Sequence, residues 1–252
     1  MSDIFLVPIG LIVVLVMIHA WFGIRILERG IIFTDLAIGQ LAALGAAVSF
    51  GLFHGENLYI WTLGFALLGA LLIAYGARLS LHLEAYIGLL YVLGASGIMM
   101  VLAQSAEGME HFKSLLANDI LFTTPQDLYE STAIYALIAL ILYFVYPKTS
   151  GFAKELLFFS LLALTVTSSV QLAGVFVVFT LLIAPAMVAS MQKRFPVLLV
   201  AFIYGWFFSV LAISIGFYYD LPTGYAIVFL GALLSLLTIL IKSKKKEGEL
   251  HA

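Results

Sequence analysis

From Ile4 to Ile241 the sequence is an almost unbroken succession of apolar runs, each close to the ~20 residues that an α-helix needs to cross a hydrocarbon core about 30 Å thick. Composition supports the membrane reading. Hydrophobic residues make up 63% of the chain and charged residues 10%, with a mean hydropathy of +1.14, which leaves too little polar surface to solvate a compact domain and excludes a soluble enzyme. Asp3, with no basic segment or small-residue cleavage site nearby, makes the first run a retained span rather than a signal peptide. The chain contains no cysteine, so any metal ligand must be His, Asp, Glu or a neutral oxygen donor.

The runs predict spans near 4–27, 33–52, 58–77, 85–104, 128–147, 197–218 and 223–241. A longer stretch, Leu156 to Met191, is too long for one ordinary crossing. It carries Thr165, Thr167, Ser168, Ser169 and Gln171 in its middle, with Gly174 behind them. This pattern predicts two tightly joined crossings, 153–169 and 172–191, with a single tilted or broken helix as the alternative. The expected fold is therefore all-α: a polytopic membrane protein of about nine (eight to nine) transmembrane helices, with residues 1–252 forming one transmembrane domain.

Lys and Arg favour the cytoplasmic side of short loops. Lys242, Lys244, Lys245 and Lys246 place the C-terminus inside. Nine spans then put 11 of the 12 basic residues inside, leaving only Lys113 outside, and eight of the 14 acids outside. The N-terminus is expected outside. An eight-span arrangement would move Arg25, Arg29 and Arg78 to the outer face.

Three stretches resemble segments of the zinc/manganese ABC importer permeases, and a short match follows them. These are Arg29-Gly-Ile-Ile-Phe-Thr-Asp-Leu-Ala-Ile-Gly-Gln through Gly45, Leu115-Leu-Ala-Asn-Asp-Ile-Leu through Leu128, Leu172-Ala-Gly-Val through Ala189, and Tyr219-Asp-Leu-Pro-Thr-Gly224. The resemblance implies a permease-like fold in the inner (plasma) membrane and a subunit that is not itself an enzyme. It further implies a homodimer, a cytoplasmic ATP-binding partner, an extracytoplasmic metal-binding protein, and a transported zinc or manganese ion rather than a permanently bound cofactor. Lipid is the surrounding partner, and no nucleic acid is expected. The sequence departs from the family in two places. The histidine usually found four residues after the first motif's aspartate is Gly39 here, with Gln40 following, and glutamine is a much poorer ligand than imidazole. The cytoplasmic segment that docks on the ATPase is shortened to residues 147–153. An ion-coupled secondary carrier for a small solute or metal ion is the alternative function.

Asp35 is the acid read as lying within a predicted span rather than at or beyond its end; at the centre of a span a carboxylate costs about 2.5–3.5 kcal/mol, and such residues tend to be functional. Its plainer role would be a helix cap. His19 and Gln40 fall at similar depths, roughly 12 and 13 Å from the inner ends of their spans at the helical rise. Asp35, His19 and Gln40 are therefore candidates for the transport path, and Asp35 and His19 for metal contact. On a regular helix Asp35 and Gln40 lie about 140° apart, so either the helix is irregular at Gly39 or only one of them lines the path. Glu107, Glu110 and His111 are candidates for collecting a cation at the outer mouth, against the plainer reading of a solvated loop. Pro185, with Gly174, predicts a broken element lining a cavity.

Overall fold

The computed structural model describes residues 2–79, 82–103, 105, 107–110, 112 and 120–250, with side chains described from 6 to 242. Among these residues the regular structure is nine α-helices, two short 3-10 turns and a helical segment at 107–110, and no strand occurs. The helices are α1 (Ser2–Arg29), α2 (Thr34–Phe53), α3 (Leu58–Gly76), α4 (Leu83–Leu102), α5 (Pro125–Phe144), α6 (Gly151–Ala173), α7 (Val175–Ser190), α8 (Val197–Tyr218) and α9 (Thr223–Leu250). Eight of them are long and apolar enough to cross a bilayer, and α7, at 16 residues, is shorter.

The split of the long apolar stretch is present, but it falls at Gly174 rather than at the Thr/Ser cluster. The helix runs through the cluster, with Thr165 donating to the Leu161 carbonyl at 2.8 Å and Ser168 to the Leu164 carbonyl at 2.9 Å, back onto the preceding turn. Gly174 has φ +83°, a conformation that side chains with a Cβ rarely adopt, and α6 ends there. The chain continues helically through Pro185, so the interruption in this region belongs to the glycine. At about 24 Å, α7 is shorter than the bilayer core. Val177, Val178, Leu181, Leu182, Ala186 and Ala189 are all buried, which makes α7 an interior helix apolar all round.

Helix α5 begins at Pro125, three residues before its predicted start. The Thr124 amide and hydroxyl both donate to Asp127 Oδ2, at 2.7 and 2.8 Å, and the Asp127 amide returns to Thr124 Oγ1 at 3.3 Å. This is a reciprocal capping box, with Pro125 in the first helical position. At its other end the helix gives way to the 3-10 turn Tyr146–Lys148, which contains Pro147.

The contacts divide into two units interleaved along the chain. The first comprises residues 1–29, 119–128 and 176–252, and its core is built by close helix approach. Gly23 of α1 packs against the main-chain carbonyl of Leu182 on α7. Ala20, Ala189 and Ala201 are fully shielded beside them. Trp206 Nε1 donates to the Val13 carbonyl at 3.2 Å, and Tyr204 pairs with Ser235 at 3.0 Å.

The second unit comprises residues 30–118 and 129–175. Here α2 packs against α3 where Gly45 meets the Trp61 carbonyl, and against α4 where Gly94 meets Gln40. Ala46, Ala47, Ile98, Leu102 and Phe112 form a buried cluster. The Tyr135 hydroxyl reaches Ser168 at 3.0 Å and ties α5 to α6.

Candidate functional site

Asp35 lies in the first turn of α2 and is 2% exposed. The N-cap position is occupied by Phe33, whose own side chain makes no capping hydrogen bond. Thr34 turns its hydroxyl to the Ile31 carbonyl at 2.7 Å. The Asp35 carboxyl group lies against the main-chain amides of Leu36 and Asp35, yet its Oδ1 is buried with no hydrogen-bond partner. It serves these open first-turn amides as a capping carboxylate would, from a position two residues beyond the N-cap. It is held near the positive end of a helix dipole with one oxygen to spare, the condition of a group able to receive a cation.

Helix α2 is regular from Thr34 to Phe53, including Gly39. Asp35 and Gln40 therefore lie on different faces. Gln40 turns toward α4, since a Cβ on Gly94 would come within 3.0 Å of Gln40 Cβ and 3.2 Å of its carbonyl oxygen.

His19, in α1, is fully buried. Its Nδ1 lies 2.8 Å from the Leu15 carbonyl, which can only accept, so Nδ1 carries the proton and Nε2 the lone pair. A backbone carbonyl that fixes the tautomer in this way is the usual support of a ligating imidazole. His19 belongs to the first unit, and Asp35 and Gln40 to the second. Among the described residues, no group of three or more His, Asp or Glu side chains is arranged to hold a metal ion. At the expected outer mouth, residues 107–110 are helical and Glu107 and Glu110 are exposed, whereas His111 lies outside the described residues.

Two sets of contacts escaped the sequence reading, although the loop 192–196 was expected to meet an ATPase. One is in the connection between α7 and α8. Gln192 Oε1 accepts from the amides of Arg194 and Phe195, both at 2.9 Å, and its Nε2 donates to the Phe195 carbonyl at 2.9 Å. The side chain closes a tight turn that presents Lys193, Arg194 and Phe195 outward, all exposed. The other is Glu84, in the first turn of α4, which accepts from the Phe33 amide at 3.3 Å. Both are contacts that only the folded backbone creates. Gln192 had a faint signal in the adjoining Lys193-Arg194-Phe195-Pro196.

Comparison with known proteins places this arrangement. Residues 148–242 match the ABC 3 transport family. The chain is 24% identical to the manganese import system permease protein ScaB of Streptococcus parasanguinis, over 91% of this chain and 87% of that protein. The chain is similar to permeases of this type. A probable iron transport system membrane protein of Haemophilus influenzae is 28% identical to the permease, over 55% of its length and 58% of that relative. In fold, the permease is similar to PsaBC from Streptococcus pneumoniae in complex with Fab, with a TM-score of 0.75, 20% identity, and coverage of 100% of this chain and 95% of that one. A permease of this type is a transport subunit, not an enzyme.

Proposed function

We propose that the permease is the membrane subunit of an ABC importer for divalent transition metal ions, with manganese preferred to zinc. Asp35 carries this reading: it is a buried carboxylate within a membrane helix, with one oxygen unpaired. An ion stripped of water needs oxygen or imidazole donors where water is excluded, and intramembrane carboxylates are kept for such work. Carboxylate and carbonyl oxygens suit manganese, whereas the glycine and glutamine at 39 and 40 provide none of the imidazole that zinc favours. The relatives named for manganese and iron transport support the same cargo class. His19, through Nε2, is assigned as a second path residue and Gln40 as a helix-packing residue, with Glu107, Glu110 and His111 as the outer collecting group. The assembly is a pair of these chains, served outside by a metal-loaded binding protein and inside by an ATP-hydrolysing subunit. An ion-gradient carrier working alone is the competing reading, favoured only by the short connection 145–150.

The orientation has the N-terminus outside and the C-terminus inside. Nine crossings support it, because the basic ends of α1, α3, α5, α7 and α9 then share the cytoplasmic side. Because the chain has no native cysteine, a Ser2→Cys variant should react in intact cells with a membrane-impermeant maleimide. Reaction only with reagents that enter the cytoplasm would reverse the topology.

The Gln192 turn is assigned to contact with the hydrolysing subunit. Gln192→Ala removes three hydrogen bonds that shape it, each contributing about 0.5–1.5 kcal/mol. ATP-driven import should fall about tenfold, equivalent to ~1.4 kcal/mol of docking energy, with membrane insertion unchanged. Import at the wild-type rate with normal co-purification of the hydrolysing subunit would remove the turn from the interface.

A further inference from the structure

Glu84 is more than a cap for α2. One oxygen is enough to accept the Phe33 amide, and Oε1 does so at 3.3 Å. Oε2 is buried with no hydrogen-bond partner. A carboxylate oxygen shielded from solvent without a donor is unfavourable, and a charged one costs more than the neutral amide of a glutamine in its place. The charge at this position therefore calls for a partner that no described residue provides. Asp35, two residues beyond Phe33, is in the same condition: 2% exposed, with Oδ1 buried and unpartnered. Two residues of chain place the α-carbons of Phe33 and Asp35 at most about 7 Å apart. The start of α2 thus has a fully buried carboxylate in its first turn and a second carboxylate brought to it by α4, each with an unused oxygen. Both belong to the same unit of the fold. Arg78, at the end of α3 in that unit, lies with its guanidinium 4.8 Å from the centre of the Phe152 ring.

We propose that Glu84 is the second carboxylate of the cation path, taking the divalent ion from Asp35 at the end of the membrane where α2 and α4 begin. The step is a relay between oxygen donors. Asp35 holds the ion where water is excluded, and Glu84, half-buried at the helix ends, holds it where water can rejoin its coordination shell. The inference rests on Asp35 lining the path and on this end being cytoplasmic, which makes Glu84 a release contact.

The test uses the permease assembled with its hydrolysing subunit in proteoliposomes, with radiolabelled manganese supplied on the outer side. Rates are expressed per complex that co-purifies with the hydrolysing subunit, so that poor assembly does not imitate a transport defect. Glu84→Gln keeps the oxygen that caps Phe33 and removes only the charge. It should lower the maximal rate about tenfold while changing the half-saturating manganese concentration less than about twofold, because the entry site is untouched. Glu84→Asp, which keeps the charge, should recover more than half of the maximal rate. A Glu84→Gln rate equal to wild type, or a Glu84→Asp rate no better than that of Glu84→Gln, would leave Glu84 as a cap. Asp35→Asn is measured in parallel. If it is inactive while Glu84→Gln is normal, the relay alone fails; if it is normal, the assignment of the path itself fails.

Discussion

Asp35→Asn should reduce manganese import by about a hundredfold or more, because each unit charge on an ion ~4 Å from a carboxylate contributes on the order of 4 kcal/mol at an effective dielectric of 20. Asparagine keeps the shape and one acceptor oxygen. What it loses is the charge that offsets removing a divalent ion from water, and oxygen geometry alone does not replace it. The same substitution should leave the amount of inserted protein unchanged or raise it, since a carboxylate costs about 2.5–3.5 kcal/mol at the centre of a span on insertion scales and less in a first turn such as that of Asp35. These opposite effects, less transport with equal or more protein, separate a transport group from a structural one. Uptake of radiolabelled manganese at equal membrane content is the check. Import at the wild-type rate would make Asp35 a first-turn residue that only complements the helix dipole. His19→Ala should have a smaller effect in the same assay.

The second large effect is expected at Gly23. A methyl group there would collide with the main-chain carbonyl of Leu182, and a carbonyl inside a helix cannot swing aside as a side chain can. Gly23→Ala should therefore separate α1 from α7, cost about 3 kcal/mol or more, and lower the unfolding midpoint in detergent by roughly 6–12 °C. Gly64, in the middle of α3, supplies the control. Nothing lies within 4 Å of a Cβ placed there, so Gly64→Ala should be neutral or mildly stabilising. Equal midpoints for the two variants would contradict the close approach of α1 and α7.

The helices were largely legible because bilayer thickness imposes its length on the sequence directly. The two crossings within the long apolar stretch could be read from its length, yet the break was expected near Gln171. Hydroxyl side chains in lipid satisfy themselves on their own helix, so Thr165 and Ser168 leave α6 intact, and the positive φ that Gly174 adopts ends it. The start of α5 was misplaced because a capping box, not hydropathy, sets it. Asp35 stood out from its burial in an apolar run. The regularity of α2 at Gly39, which parts Asp35 from Gln40, did not, since one glycine in a helix is compatible with either outcome. The contacts of Glu84 and Gln192 were illegible for a different reason. Their partners are main-chain groups, 51 residues away for Glu84 and within a loop of undetermined shape for Gln192.

The most direct test of the account is manganese uptake by proteoliposomes holding the permease alone, or the permease assembled with an ATP-hydrolysing subunit. Both preparations are assayed with ATP and, separately, with an imposed ion gradient. Import that requires both the hydrolysing subunit and ATP, and does not respond to the gradient, is the predicted result. Gradient-driven uptake by the permease alone would contradict it and make the chain an ion-coupled carrier.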